Sequence, residues 1–512
     1  MESHFRTLAA FCSALYLLLT ATLIACVLVK TGGHFTYALD DPYIHLALAE
    51  NLAHGHYGIN PTEFSSPSSS ILWPFMLVPF AGTDLHVFCP LAWNLLFGVL
   101  ASYIIGNTVA KWPLGGRADG RIPSRQHYVV AVLLILTANL ASLTIVGMEH
   151  VLQVLFAISC AYGVIEAVHG RNLPTWCLAA AILAPTIRYE NLSLTLAVCC
   201  TLAGLRGWKT AIAAFGLSLA PLAAFSLFLK SKGMPALPMS VLVKGNAFAS
   251  GGPGAKIFSL LETSLRADLT SPEHYATIVL FIFFVSLTIK SRTKLHRFAY
   301  GGAASLGLLQ LTIGRFGWFY RYEVYAVIFL LMIALSIITQ IPRIRFAYIG
   351  VGLTFFTPSS FAATFLTPSS SHAVYLQQYQ MRRFVTGFYY GNYAVNDIGL
   401  VSFQRRPGAY VLDLLGLASA EAASQTTKTA PWLQDTARRH NADLAIVYAD
   451  WFDIPETWIP MAQLCIDTNE WTRRNQRCVV FYSTDTRSHQ AIKSDLSRFA
   501  ATLPSGLAYT QY

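Results

Sequence analysis

Long uncharged apolar runs recur along this chain of 512 residues, and they constrain its fold more than any other feature. An apolar run of roughly 18 or more residues is long enough to cross about 30 Å of hydrocarbon as a helix. Only 12% of the residues are charged, whereas an average soluble domain has about 25%. These features exclude a soluble enzyme, a disordered chain and a coiled coil. They predict a polytopic membrane protein.

The distribution of Lys and Arg predicts the orientation of the spans. The first run, 8–29, is too long for a signal-peptide core and indicates a retained anchor. Residues 31–70 contain no Lys or Arg, whereas residues 111–126 carry four of them against one acidic residue. By the positive-inside rule the first loop lies outside and the second lies inside. We therefore expect eleven spans, at about 8–29, 87–110, 128–146, 150–167, 174–187, 191–205, 210–229, 275–289, 297–313, 323–340 and 344–366.

The short apolar stretch Ile71–Phe80 decides the orientation of everything that follows it. It carries Pro74 and Pro79, which favours a helix lying at the outer interface. If the stretch were instead a span, every later loop would be inverted, and the basic residues at 290–297 would lie outside, against the rule. We therefore place the C-terminal tail on the outer side of the membrane; for a bacterial inner membrane, which we expect, this is the periplasmic or extracellular side.

The tail differs in character from the rest of the chain. Residues 367–512 carry 13 Lys and Arg against 12 Asp and Glu, whereas residues 1–366 carry 23 against 14. This split fits basic loops on the cytoplasmic side rather than a nucleic-acid surface. Short β-type runs separated by polar stretches predict an α/β domain; the runs are Ala394–Phe403, Ala409–Leu415, Leu444–Ala449 and Cys478–Tyr482. Cys465 and Cys478 could pair there, and the sequence leaves that open.

Two adjacent aspartates, Asp40 and Asp41, precede a short helical pattern in the first outer loop. Asp41 suits the N-cap, Pro42 the first helical position and Gly55 the stop. Apolar residues every four positions predict an amphipathic helix on the membrane surface. One aspartate is enough for a cap, so the second suggests a general base or a shared cation.

Other charged side chains are predicted at the outer ends of spans, where each is a functional candidate. Glu149 could also be solvated at the interface, and Arg188 could simply pair with Glu190. The aromatic residues 316–320 are typical of an interfacial belt, yet the arginines beside them suggest that an anionic group is held there. The candidate binding residues are Glu149, Arg188, Glu190, Lys244, Arg321 and Tyr322.

Several motifs follow a known family in order along the chain. The stretch Asp40-Asp-Pro-Tyr-Ile, with Asn51-Leu-Ala-His-Gly, Asn60-Pro and Ser66-Pro after it, resembles the first outer loop of GT-C-fold glycosyltransferases. The nearest branch has the pattern DDxYI, NLAxGxG, NPxxE and SPLW, and it includes the cell-wall arabinofuranosyltransferases.

Later motifs extend this resemblance. Gly147-Met-Glu is similar to the branch's G-M/L-E, Arg188-Tyr-Glu to its R-P-E-G and Arg321-Tyr to its R-Y-L. In the tail, Asn396-Asp-Ile-Gly and Leu412-Asp-Leu-Leu-Gly-Leu resemble its outer-domain patterns, although their aspartates, Asp397 and Asp413, could equally be turn residues.

The resemblance implies a GT-C transmembrane catalytic domain over residues 1–366, with the outer loop 31–70 and juxtamembrane helices, and an extracytoplasmic α/β cap over residues 367–512. It implies that a sugar moves from a polyprenyl-phosphate donor to a hydroxyl of an envelope glycan, a glycolipid or a protein. We expect direct displacement with inversion, in which Asp40, or alternatively Asp41, takes the proton of the acceptor.

The remaining candidates then receive roles. Arg321, Arg188 and Lys244 would bind the leaving phosphate. Glu149 and Glu190 would orient sugar hydroxyls or the arginines. No cofactor is certain, but Asp40 and Asp41 could ligate Mg²⁺ or Mn²⁺.

A transporter or lipid-linked sugar flippase is the alternative, because it would also explain the spans and the buried charge. Transporters typically have repeated halves and substrate charges near mid-membrane. This chain has no evident repeat, and its charges are predicted at one face. A catalytically silent scaffold that presents the tail is a third possibility, which the doubled aspartates argue against.

Overall fold

Helices dominate the chain, as the apolar runs predict. The computed structural model describes residues 2–114, 123–244, 272–341, 346–425, 427–466, 470 and 476–512. Before the tail, the α-helices are Glu2–Lys30, Asp41–Ala53, Leu72–Met76, Cys89–Val109, Arg125–Thr137, Leu140–Val146, His150–Val168, Thr175–Ile187, Leu192–Arg206, Trp208–Ser231, Met239–Lys244, Pro272–Lys290, Lys294–Ile313, Val324–Ile338, Phe346–Thr354 and Pro358–Leu376.

Five helical segments in the described ranges are long and apolar enough to cross a membrane: Arg6–Lys30, Asp84–Val109, Arg125–Val146, His150–Val168 and Trp208–Ser231. Shorter apolar helices are Thr175–Ile187, His274–Lys290 and Val324–Ile338. These segments suggest a multi-pass membrane protein, but the predicted count of eleven spans is not confirmed.

The last predicted span, 344–366, is not one helix. Residues 342–345 lie outside the described part of the chain. The rest is divided between Phe346–Thr354 and Pro358–Leu376. The division falls where Pro358 begins a helix, because proline is tolerated in the first turn but disrupts a helix interior.

The chain forms two compact units, each built from three segments. The first contains Met1–Leu23, Leu91–Ala224 and Gly251–Phe365, and the second contains Ile24–Pro90, Phe225–Ser250 and Leu366–Tyr512. The predicted domain division at residue 366 falls within the helix Pro358–Leu376.

Close helix pairs form the core of the first unit. Leu192–Arg206 packs along Lys294–Ile313, and His150–Val168 packs along Val324–Ile338. A Cβ on Gly302 would lie 2.8 Å from the carbonyl oxygen of Ala197, so this glycine lets the first pair approach closely. The hydroxyl of Tyr16 donates to the carbonyl of Asn94 at 3.0 Å and lies 2.8 Å from that of Thr144, which ties three helices together.

A six-stranded sheet organises the second unit. Its strands are β1 (Asn392–Val395), β2 (Val411–Asp413), β3 (Ala442–Val447), β4 (Ile459–Ile466), β5 (Cys478–Ser483) and β6 (Leu507–Gln511). The spatial order is β2-β1-β3-β5-β4-β6, with β1, β2 and β3 parallel and the remaining pairs antiparallel. The helices of the tail are Gln378–Gly387, Ala420–Ser424, Ala430–Arg439 and His489–Ala500.

The predicted C-terminal α/β region is therefore present, although its strands differ in part from the prediction. The four β-type runs overlap β1, β2, β3 and β5, whereas β4 and β6 were missed. The run Ala394–Phe403 is a strand only as far as Val395 and then becomes a loop. Cys465 and Cys478 form a disulfide between paired positions of β4 and β5.

Residues of the first outer loop belong to the same unit as this sheet. The side-chain amide of Asn60 donates to the carbonyl of Val411 at 2.9 Å, and its oxygen accepts from the amide of Val411 at 3.0 Å. The hydroxyl of Tyr410 donates to Glu63 at 2.5 Å. These contacts join the loop to β2 and to the residue that precedes it.

The helix Asp41–Ala53 corrects two details of the prediction. Its N-cap is Asp40 rather than Asp41, and the side chain of Asp40 makes no capping bond. Pro42 to Ala49 are all buried, so the helix is not amphipathic. A helix buried all round belongs in a core, and the prediction of a helix resting on the membrane surface is wrong. The stretch 71–80 forms only the short helix Leu72–Met76.

Candidate functional site

The sheet brings polar groups together at the carboxyl ends of its parallel strands. Asp397 follows β1 by two residues, and Tyr448 directly follows β3, the strand beside it. The side-chain oxygen of Asn396 accepts from the amide of Tyr448 at 2.9 Å and links the two strand ends. Loops at this edge of parallel strands are a usual place for ligand sites.

The carboxylate of Asp40 is held by the loop that follows β1. Its Oδ2 accepts from the amide of Gly399 at 2.7 Å, and its Oδ1 accepts from the amide of Leu400 at 2.8 Å. A Cβ on Gly399 would overlap the carbonyl and carboxylate oxygens of Asp40. Glycine is therefore required at this position because the two segments approach so closely.

A second carboxylate, Asp397, lies beside the first. Its Oδ2 accepts from Nε2 of Gln378 at 3.1 Å and lies 3.0 Å from the hydroxyl of Tyr448. The same hydroxyl lies 2.7 Å from Oε1 of Gln377. Asp40, Asp41, Asp397 and Gln378 all remain partly accessible. We call Asp40, Asp41 and Asp397 the acid cluster.

Two carboxyl groups of the acid cluster have raised pKa values. Burial, followed by the negative charge of Asp397, raises the pKa of Asp40. Burial, and with it the charge of Asp41, raises the pKa of Asp397. Burial also raises the pKa of Tyr448 well above its usual range, so that its hydroxyl stays protonated. A carboxylate with a raised pKa is a better proton acceptor than an ordinary one.

The first unit has a second polar cluster, built around Arg188. This residue follows the helix Thr175–Ile187 and is extended, with φ of −152° and ψ of 138°. Its Nη1 donates to Oε1 of Glu149 at 2.7 Å, and its Nε donates to Oε1 of Glu190 at 2.5 Å. The glutamate side chains are 0% and 31% exposed, respectively. The Arg188–Glu190 pair, left as an alternative by the sequence, is thus present.

Tyr322 connects Arg188 to Arg321. The guanidinium carbon of Arg188 lies 5.5 Å from the centre of the Tyr322 ring, and that of Arg321 lies 4.9 Å from it. Arg321 also donates to the hydroxyl of Tyr322 at 2.8 Å and to the sulfur of Met148 at 2.9 Å. Glu149, Arg188, Glu190, Arg321 and Tyr322, which we call the arginine cluster, were all predicted site residues.

The remaining predicted residues differ in outcome. Lys244 ends the helix Met239–Lys244, but its side chain lies outside the described part of the structure. Asp413 is a turn residue, because it is 1% exposed and accepts from the amides of Leu415 and Ala418 at 2.9 and 2.6 Å. Across the described residues, no three His, Cys, Asp or Glu side chains are grouped to hold a metal. The cation on Asp40 and Asp41 stays a prediction.

Sequence reasoning missed part of the acid cluster. Gln378 and Tyr448 were not singled out, and Asp397 was left undecided. The available signal was the position of Asn396-Asp397-Ile398-Gly399 directly after a β-type run. In an α/β domain, polar residues there meet those that follow the neighbouring parallel strand.

Comparisons with known proteins add limited information. A family model described as a domain of unknown function (DUF8728) matches residues 371–482. No curated protein matches the sequence. Among solved structures, the chain is similar to the apo form of the Archaeoglobus fulgidus oligosaccharyltransferase, with a TM-score of 0.44 and 11% sequence identity. The similarity covers 93% of this chain and 74% of the oligosaccharyltransferase chain. At this level the likeness establishes neither fold nor activity.

Proposed function

We propose that this protein is a membrane glycosyltransferase that moves a sugar from a polyprenyl-phosphate donor to a hydroxyl acceptor. The carrying observation is the carboxylate of Asp40, which is fixed by two backbone amides beside Asp397. A positioned carboxylate with a neighbouring acid is what general-base removal of a hydroxyl proton requires. The sequence resemblance to GT-C-fold enzymes, which includes both aspartates and Gly399, points to the same chemistry.

The reaction is a single displacement with inversion. Asp40 takes the proton of the acceptor hydroxyl as its oxygen bonds to the anomeric carbon. The bond between that carbon and the phosphate oxygen breaks, and the polyprenyl phosphate leaves with the electron pair. Asp41 is the alternative base.

The sequence resemblance implies that Arg188, Arg321 and Lys244 bind the leaving phosphate. Both arginines are buried: Arg188 is 8% exposed and Arg321 is 2% exposed. Buried cations interact strongly with negative charge that develops during a reaction. Glu149 and Glu190 each contact Arg188, which favours orientation of this arginine as their role. If the reaction requires Mg²⁺ or Mn²⁺, Asp40 and Asp41 are the residues that would ligate it, and the ion would supply positive charge.

Transfer in proteoliposomes tests this proposal. Purified protein would receive radiolabelled polyprenyl-phosphate sugars from a membrane extract, with crude envelope glycan as acceptor and with or without EDTA. We expect label to enter the glycan and Asp40→Asn or Asp41→Asn to reduce transfer by at least a hundredfold. Retained transfer in both variants would remove the carboxylate base. Movement of labelled lipid between leaflets without transfer would favour the flippase.

A further inference from the structure

A ladder of aromatic rings lies on the second unit. The imidazole of His34 stacks on Tyr375, with centroids 5.2 Å apart and planes 15° apart. Tyr375 stacks in turn on Tyr379 at 5.4 Å and 27°. His372 lies parallel to Tyr375 at 6.3 Å. We call these four residues the aromatic ladder; it joins the first outer loop to the helices that precede β1.

The ladder is not part of the hydrophobic core. His34 is exposed, and Tyr375, Tyr379 and His372 are only partly buried. By contrast, large aromatics such as Tyr37 and Tyr43 in the same unit are fully buried. Folding therefore leaves part of the ladder outside the protein interior, and exposed aromatic surface can mark a binding site.

Planar polar side chains border the ladder. In sequence, Gln378 lies between Tyr375 and Tyr379. Its side-chain Nε2 donates to Oδ2 of Asp397 at 3.1 Å. Gln378 and Tyr379 both belong to the first turn of the helix Gln378–Gly387. This helix therefore links the ladder to the acid cluster within one unit.

This combination matches the two surfaces of a sugar ring. The C–H face of a sugar is apolar and can lie on an aromatic ring, whereas its edge presents hydroxyls to carboxylate and amide groups. At the edge formed by the acid cluster, the ionised forms of Asp40 and Asp397 repel an anionic group. The chemistry therefore favours a neutral sugar over an anionic headgroup.

We propose that His34, Tyr375 and Tyr379, with Gln378 and Asp397 beside them, form a subsite for a neutral sugar ring of a glycan acceptor. This inference rests on the proposed transferase function and names the acceptor class. A sugar seated on the ladder would direct a hydroxyl toward the acid cluster. The second unit would then bind the acceptor as well as contribute to the reaction centre.

Direct binding to the full-length protein in detergent tests the subsite without any transfer. The probes are neutral tetrasaccharides of mannose, arabinofuranose and glucose, measured by saturation-transfer NMR and calorimetry, with inorganic phosphate and a polyprenyl phosphate as anionic probes. We expect at least one tetrasaccharide to bind and Tyr379→Leu to weaken it at least tenfold. His34→Ala, at an exposed position, should weaken it at least threefold without affecting folding.

The matched control is Tyr390→Leu, because Tyr390 is 75% exposed and belongs to the same unit but not to the ladder. It should bind as the unaltered protein does. The subsite is overturned if no tetrasaccharide binds, if His34→Ala and Tyr379→Leu bind normally, or if phosphate displaces the sugar as effectively as excess sugar does. Failure of the transferase would be distinct: tetrasaccharide binding would persist while no donor gives transfer.

Discussion

Gly399→Ala should show how far the position of the Asp40 carboxylate depends on the loop that follows β1. The added methyl group would overlap two oxygens of Asp40, so the loop must move away from the carboxylate. That movement threatens two hydrogen bonds, from Gly399 at 2.7 Å and from Leu400 at 2.8 Å. Each bond to a charged acceptor is worth about 1.5–3 kcal/mol.

The expected result is a large loss of transfer. Displacement of a reacting group by about 1 Å can cost about a hundredfold in rate, so we expect kcat to fall by about that factor. The free energy of unfolding should fall by up to about 3–6 kcal/mol if both bonds are lost. Proteoliposome transfer and thermal unfolding in detergent measure the two effects on the same preparation.

Gly387→Ala is the matched control. Gly387 ends a helix in the same unit, and a Cβ there meets nothing within 4 Å. This variant should retain both transfer and stability. Normal transfer by Gly399→Ala would refute the reasoning, because Asp40 would then not depend on the loop that binds it.

Three further predictions follow from contacts of other residues. Arg188→Met should lower the free energy of unfolding by about 3–5 kcal/mol, because the buried Glu149 loses a charged partner. The double variant that also carries Glu149→Gln should recover part of the lost stability. If thermal unfolding shows no recovery, the pairing is contradicted. Replacing Cys465 and Cys478 by Ser should cost about 3 kcal/mol, and reductant should lower the melting temperature of the unaltered protein but not of this variant. Asn60→Ala should cost about 1–3 kcal/mol and speed hydrogen exchange at the amide of Val411; unchanged exchange there would argue against the pairing.

The apolar runs predicted most helices because hydrophobic length is a local property of sequence. The same information could not decide how many helices cross the membrane: Leu192–Arg206 and Lys294–Ile313 are helices, yet neither meets the length and hydropathy criteria for a span. Buried strands such as β4 were missed because Pro460 and Gln463 interrupt the β-type pattern. Pairing with β5 on one side and β6 on the other keeps β4 in the sheet despite these two residues.

The arginine cluster and the surroundings of Asp40 also differ in how far the sequence predicts them. The arginine cluster was predicted as a set of residues, since charges in apolar surroundings stand out by composition alone. The partners of Asp40 were not, because Gly399 and Leu400 contribute backbone amides, which any residue except proline carries. Only the close approach to Asp40 makes Gly399 identifiable, and that approach depends on a contact across some 360 positions of sequence.

The three-segment construction of the second unit has a consequence for synthesis. Asp40 leaves the ribosome long before the loop that holds its carboxylate. At about 5–20 residues per second, the interval is about 20–70 s. During that time the residues Pro42 to Ala49, which are buried in the finished unit, lack most of their surroundings. The proposed reaction centre can therefore assemble only after the last of the three segments has been synthesised.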